Sequence, residues 1–562
     1  MSDDALAQRV RSHLAKLYPR HDLDALVPAA INAVGIDASV EQPSSPRWTS
    51  ADALLITYGD SVVDGDRVPL QVLDELVTEH LTPAISTVHV LPFNPYSSDR
   101  GFSVIDYDAV DPALGTWEDM ARLTGSADLM ADLVCNHTSS ESAWFQQFLA
   151  DEEPGRSFFM TAPADADISS VVRPRNLPLL NAYDTAAGTR HAWCTFSPDQ
   201  VDLDYRNPEV LLAMLRVLDR YISHGARFIR LDAVAYLWKE LETPCIHLPE
   251  THEVIKLWNT LLAARAPHVC LVTETNVPSA ENLSYFGNGD EAHMIYNFSL
   301  PPLIIDALLH GRADRLRTWM MQMPPAPPGC TYLNFLASHD GIGVRPAEGL
   351  LTDDEIGHLV TAAEAAGGLH GTYDAPGGPR PYELNVSLWD LLEPDQFVCA
   401  HAIMFGIEGI PALWINSLLA RSNDRETADR TGVRRDITRA RVELADAIAV
   451  LTEAESNESR AASALLRLLE IRSQQPAFDP GATQFTLQIG DGLFAFWRQS
   501  SDRTQSIFAV HNCTAEPQTL DLHRLNLIAT DQWRDLISGT TLSEGQTGVE
   551  LAPYQSVWIT NR

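Results

Sequence analysis

Eight short apolar runs, each followed by a helical stretch, constrain this chain more than any other feature. They read "DALLITYG" (52–59), "STVHVLPF" (86–93), "ADLMADLV" (127–134), "ARFIRLD" (226–232), "VCLVTET" (269–275), "MIYNF" (294–298), "CTYLNFLASH" (330–339) and "GIPALWIN" (409–416). Strands that carry apolar side chains on both faces and alternate with helices are the mark of a parallel sheet covered on both sides. Eight such units point to an α/β fold, a (β/α)₈ barrel, with a doubly wound sheet as the alternative that pattern alone leaves open.

The spacing is uneven. An insert at 135–225 separates the third run from the fourth, and a second, at about 341–400, follows the seventh. Long loops in a compact fold usually carry function. Residues 1–50 read as an amphipathic helical extension that ends at "EQPSSPRW". The barrel then spans 51–483. From 484 onward, "TQFTLQIGDGLFAFWRQ" alternates around a Gly-Asp-Gly turn, so a small antiparallel β-domain is expected over 484–562.

Charge narrows the partners. The chain has 40 basic and 75 acidic side chains, a formal charge of −35. Phosphate backbones and anionic membranes need a basic face, so neither nucleic acid nor membrane is an expected partner. Dense surface acid serves solubility and suits a salty environment, where screening tolerates it. The seven cysteines form no CxxC pair, and the N-terminus lacks the basic and apolar segments of a signal peptide, so a reduced, cytoplasmic chain is expected. No zinc spacing or nucleotide loop is present: "HEVIK" places Lys256 where HExxH needs a second histidine. Neither metal nor organic cofactor is expected.

In a barrel the chemistry gathers at the C-terminal strand ends. Run two leads into "PFNPYSSDRGF", with Asp99 and Phe102. Run three ends in Asn136-His137, run four in Arg230 and Asp232, run five in Glu274, run seven in His339-Asp340. Each alone could be an ion pair or a cap. Together they place three carboxylates, an arginine and two histidines around one cavity. Two carboxyls flanking one bond can perform retaining glycosyl transfer. Arg230, two residues before Asp232, shares its face of the strand and is expected to keep Asp232 charged. A crowded, desolvated Glu274 has a raised pKa and suits a proton donor. Asp340 and the histidines can grip sugar hydroxyls.

"ADLVCNHTS", "ARFIRLDAV", "VTETN" and "FLASHDG", in this order, resemble the four signature regions of the α-amylase family of retaining glycosidases. By that resemblance Asp232 is the nucleophile, Glu274 the acid/base and Asp340 the transition-state stabiliser. His137, His339 and Arg230 line the glucosyl subsite. "ITYGDSVVDGD", "VHVLPFNPYSSDRGFSVIDYDAVDPALGTWED", "TFSPDQVDLDY" and "ASHDGIGVRP" are similar to the family's sucrose-phosphorylase-like branch, whose members exchange α-glucose 1-phosphate with an α-glucoside. That likeness adds Asp99, Phe102, Phe196, Gln200, Tyr236 and, from "VRRDITR", Arg435 to the donor site. Arg173 and Arg175 of "VVRPRN" are the expected phosphate ligands, since guanidinium forks match phosphate oxygens. Tyr382 of "PYELNVS" is a second candidate.

Shared catalytic residues cannot choose the acceptor. Glu383 stands where the sucrose-specific enzymes resemble one another in having glutamine. An acid there would repel anionic acceptors and accept hydroxyls from a neutral polyol. The expected activity is therefore phosphorolysis of 2-O-α-D-glucosylglycerol, with sucrose, sucrose 6'-phosphate and glucosylglycerate as alternatives. A plain α-glucosidase would use the same trio. Asn276 and Arg345 are expected to border the acceptor pocket.

Overall fold

The structure is a computed structural model that describes residues 3–36, 47–174, 177–375, 377–453, 455–525, 527 and 529–562. At its centre eight parallel strands close into a barrel. They are β1 (Leu54–Thr57), β2 (Thr87–Val90), β3 (Asp128–Val134), β4 (Ala226–Asp232), β5 (Cys270–Thr273), β6 (Met294–Tyr296), β7 (Thr331–Asn334) and β8 (Ile410–Trp414). Each falls inside one of the eight apolar runs. Neighbours follow in chain order, and β8 closes on β1 through the register Leu54↔Ala412. The doubly wound alternative is thereby ruled out.

Nearly all strand residues are buried, because the barrel interior covers one face and the helical ring the other. The ring helices include Pro69–Leu76, Trp117–Leu123, Pro208–Ser223, Pro249–Arg265, Leu300–His310, Pro394–Gly406 and Asn457–Ser473. Several open with proline in the first turn, where the missing N–H costs nothing.

Two of these helices shorten the inserts inferred from sequence. Pro208–Ser223 packs on the barrel and belongs to the ring, so the first insert ends near 207. Pro394–Gly406 likewise closes the second insert before 394. Both inserts are β-rich. The first holds the hairpin Leu180–Thr185/Gly188–Trp193 and the pair His137–Ser139/Gln200–Asp202. The second holds the hairpin Leu369–Ala375/Gly378–Asn385, onto which Ile342–Gly343 adds a third strand.

The N-terminal extension carries two helices among its described residues. Its helices, Asp3–Leu17 and Leu23–Ala33, pack on the ring rather than standing apart, and 37–46 lie outside the described residues. Tyr18 is buried. Its hydroxyl donates to Tyr205 O at 2.8 Å, and its ring lies 6.1 Å from Trp238. Beyond the barrel, Thr483–Leu487, Leu493–Gln499, Ser506–Asn512, Ser556–Thr560 and Arg534–Asp535 form a five-stranded antiparallel sheet with its own apolar core. All seven cysteines are buried free thiols. Among the described residues no helix is long and apolar enough to cross a membrane.

Candidate active site

One cavity opens at the C-terminal ends of the strands, about 670 Å³ counted out to its mouth. Its wall includes Asp99, Phe102, His137, Phe196, Gln200, Asp232, Tyr236, Glu274, Asn276, His339, Asp340, Tyr382 and Arg435. Pro174, Ala233, Ala235, Thr275 and Val277 complete it. Thirteen of the residues singled out in the sequence thus share one space.

The floor is a charged ladder across adjacent strands. Parallel register sets Asp132 of β3 beside Arg230 of β4, and the two form a buried ion pair. Arg230 Nη1 also donates to Asp232 Oδ1 at 3.0 Å, and its Nη2 lies 3.9 Å from Glu274 Oε2. His89 of β2 holds the other Asp132 oxygen at 2.6 Å. Burial opposes charge on Asp132, but Arg230 and His89 outweigh it and bring its carboxyl to about 2. Arg230 therefore lies beneath the cavity rather than on its wall, stacked within 5.6 Å of Phe102 and 5.7 Å of Tyr296.

Asp232 shares Arg230 with Asp132 and Glu274. Burial pushes the Asp232 carboxyl up. Arg230 opposes this, while Glu274, Asp132 and Asp340 add to it. Arg230 does not hold Asp232 in its ordinary range, contrary to the sequence expectation: burial outweighs it, and Glu274, Asp132 and Asp340 add to burial. Glu274 is also raised, by burial first and then by Asp340, against Arg230. The two carboxyls titrate as a pair that retains a proton. Asp232 is nearer Arg230, at 3.0 Å against 3.9 Å for Glu274.

Asp340 has opposite surroundings. Arg435 Nη1 lies 2.5 Å from its Oδ1, His339 Nε2 3.4 Å and Arg439 Nη2 3.5 Å. Burial opposes the charge, but Arg435 and then Arg439 hold this carboxyl far below the usual range. Burial lowers His339 and His137, which keeps both rings neutral donors or acceptors for hydroxyls.

Local backbone explains the placements. Asp99 and Arg100 both adopt left-handed φ, 52° and 48°, and Gly101 follows at 105°. A Cβ on Gly101 would meet Pro92 O at 2.5 Å, so only glycine lets "SSDRGF" fold back and seat Phe102 against His339. Those rings stack at 5.2 Å and 6°. After Asp340, Gly341 is equally obligatory, since its Cβ would lie 2.3 Å from Leu384 O. Gln200 Nε2 donates to Asp99 Oδ2 at 3.3 Å and to Phe102 O at 3.2 Å, tying the first insert to the strand-two loop.

Among the described residues, Arg230, Glu383, Arg345, Arg173 and Asn136 stand off the wall. Glu383 is a correction. Its oxygens accept from Arg435 Nε at 2.9 Å and Nη2 at 2.7 Å, and it is buried behind that arginine. Its charge is spent on positioning Arg435, so it neither repels an anionic acceptor nor offers oxygens to a polyol. Arg345 lies beside the wall, its guanidinium 5.0 Å from the Tyr373 ring. Arg173 adjoins the wall residue Pro174, and Arg175 lies outside the described residues. Asn136 faces away from the cavity. With Asp202 Oδ2 and Tyr236 O it surrounds Lys239 Nζ at 2.8, 3.0 and 2.6 Å, which binds the first insert to the loop after β4. His252 and Glu253 do not converge: His252 pairs with Glu291 at 2.6 Å and Glu253 with His13 at 2.6 Å.

Sequence reasoning missed His89, Asp132, Arg439 and Tyr58. The signal for the first two was a charged or polar residue inside an otherwise apolar strand. Tyr58 ends β1, between Arg100 and Arg439, each 5.6 Å from its ring.

Comparison with known proteins agrees with this geometry. Residues 84–340 match the α-amylase catalytic domain. The glucosylglycerate phosphorylase of Allomeiothermus silvanus is 42% identical over 568 residues, which cover 99% of this chain and 98% of that one. The glucosylglycerol phosphorylase of Marinobacter adhaerens is 29% identical, covering 76% and 88%. The crystal structure of sucrose 6F-phosphate phosphorylase from Thermoanaerobacter thermosaccharolyticum superposes with a TM-score of 0.74 at 25% identity, over 83% of this chain and 94% of that one. The chain belongs to the α-amylase family, to its branch of glycoside phosphorylases, enzymes of the hexosyltransferase class.

Proposed function

We propose that this protein is a retaining glucosylglycerate phosphorylase, moving a glucosyl unit reversibly between glycerate and inorganic phosphate. Similarity to the Allomeiothermus silvanus enzyme, nearly end to end, carries the choice of acceptor. The expectation of glycerol rested on Glu383 as a free pocket acid, and Arg435 removes that ground.

The residues supply a double displacement. Glu274 gives its proton to the glycosidic oxygen as Asp232 attacks the anomeric carbon. Glycerate leaves, and the glucosyl unit is held as an ester of Asp232. Phosphate then enters on the vacated side, attacks the same carbon, and returns a proton to Glu274 as the ester breaks. Two inversions retain configuration. Asp340, held anionic by Arg435 and Arg439, stabilises positive charge on the ring in both transition states. Arg173, next to the wall, is the arginine we assign to phosphate. The buried free thiols support a reducing, cytoplasmic setting.

The test is phosphate release from α-glucose 1-phosphate with D-glycerate, glycerol, fructose, fructose 6-phosphate or no acceptor. Release with glycerate is expected to exceed every other arm by about tenfold or more. A faster rate with glycerol would restore the polyol reading. Equal rates in all arms would make water the acceptor and the protein a hydrolase.

A further inference from the structure

Two buried polar atoms, one on the cavity wall and one close behind it, have no hydrogen-bond partner: Asn276 Oδ1 and Arg345 Nε. One is a charged donor and the other a neutral acceptor. Both flank a single seam of backbone. Gly343 lies so close to Asn276 that a Cβ on it would meet Asn276 Oδ1 at 3.2 Å. The next residue, Val344, donates its N–H to Tyr382 O at 3.0 Å. Residue 345 follows directly. Asn276 and Tyr382 both line the cavity, so the seam that carries Arg345 runs between two wall residues.

Arg345 also differs from the arginines around it. Arg100 holds Asp436, Arg380 holds Asp353, Arg435 holds Glu383 and Asp340, and Arg439 holds Asp340. Arg345 has no carboxylate within ion-pair distance among the described residues. Its guanidinium instead lies over Tyr373, whose ring stands 6.3 Å from Tyr382 and whose hydroxyl is committed to Glu348 Oε1 at 2.7 Å. An aromatic face orients and partly desolvates a guanidinium without neutralising it. A cation kept uncompensated in so acidic a chain calls for an anion from outside.

We infer that Arg345 is a specificity-determining residue that reads the carboxylate of the acceptor, while Asn276 accepts a hydrogen bond from one of its hydroxyls. A small hydroxy acid offers both groups on adjacent carbons. A neutral polyol offers only the second, and orthophosphate offers an anion with different shape and demands. This role rests on the glycerate reading above, so the wild-type chain is measured first.

KM and kcat are determined for D-glycerate and glycerol with α-glucose 1-phosphate as donor, and for inorganic phosphate with glucosylglycerate. The proteins are wild type, Arg345→Gln and Arg345→Lys. Loss of a charge-assisted contact predicts that Arg345→Gln raises the glycerate KM about tenfold or more relative to the glycerol KM. Arg345→Lys, which keeps charge but loses the fork, regains part of that loss. If the phosphate KM rises as far as the glycerate KM, the arginine serves phosphate and the inference is overturned. It is also overturned if the glycerate-to-glycerol ratio does not move. A wild-type chain that uses no carboxylate acceptor overturns the proposed function and this role together, whereas glycerate use with an unmoved Arg345→Gln overturns this role alone. Melting curves establish that each variant folds. Should Arg345→Gln fail to fold, Arg345→Lys carries the test, with a smaller rise in the glycerate KM expected and an unmoved ratio contradicting it.

Discussion

The two ends of the cavity are built differently. The donor end stands on strand termini, and its charges are braced in series: His89 holds Asp132, Asp132 holds Arg230, and Arg230 reaches Asp232 and Glu274. Glu383 and Arg435 brace Asp340 from the other side. The acceptor end is built from inserts. Pro174 and Tyr382 of the wall come from the two inserts, and the seam at 343–345 runs beside Tyr382. An end whose charges brace one another suits chemistry that must be the same in every turnover. An end carried on the inserts suits the partner that changes between half-reactions.

Substitutions at the donor end should affect all acceptors alike, and substitutions at the acceptor end should discriminate among them. The largest expected effect is that of Asp232→Ala. It removes the atom that forms the glucosyl ester, and turnover should fall on the order of 10⁴-fold or more with every acceptor. A folded Asp232→Ala protein with near-wild-type turnover would break the assignment.

Glu274 comes next. Its proton is needed to expel the sugar acceptor, and burial raises its carboxyl above the usual range. The acid form therefore persists to higher pH, and kcat/KM for glucosylglycerate should decline only as pH rises through that raised value. The first step with α-glucose 1-phosphate expels a better leaving group and needs the proton less, so its alkaline limb should be shallower. Glu274→Gln should cost about 10²- to 10⁴-fold with the glucoside and flatten its alkaline limb. An alkaline limb unchanged by Glu274→Gln would assign the proton to another group.

Glu383→Gln probes which end that residue serves. Arg435 would lose its bidentate partner but keep Asp340, and kcat/KM should fall about 10- to 100-fold to the same extent for every acceptor. A fall confined to one acceptor would return Glu383 to the acceptor end and weaken the contrast drawn here. The smallest effect lies outside both ends. Tyr18→Phe removes a buried hydrogen bond between the N-terminal helices and Tyr205, and should lower stability by about 1 kcal/mol in denaturant titration without changing acceptor preference.

The barrel and the donor end were legible in the sequence because both obey local rules. Every strand falls inside a largely apolar run, and Asp232, Glu274, His339 and Asp340 stand at or just past the C-terminal ends of such runs. The braces were less legible, since partners lie far apart in the chain. Glu383 and Arg435 are 52 residues apart, and no local pattern shows that one cancels the other. The misreading of Glu383 as a pocket acid came from that gap. The charge on Asp232 was misjudged for a related reason: the Arg230–Asp232 spacing is visible, but the burial that raises its carboxyl, and the Glu274 and Asp132 carboxyls that add to it, exist only once the strands pair. The insert boundaries were set too wide because ring helices Pro208–Ser223 and Pro394–Gly406 follow the loops without a break in composition.

The central claim is that the donor end works alone, through a glucosyl ester of Asp232, whatever occupies the acceptor end. Isotope exchange between labelled phosphate and α-glucose 1-phosphate, in the absence of any sugar acceptor, tests it most directly. Label should enter α-glucose 1-phosphate at a rate comparable to turnover, and Asp232→Ala should abolish the exchange. An active enzyme that exchanges no label until an acceptor is added would contradict the account, because no covalent intermediate would then stand between the two partners.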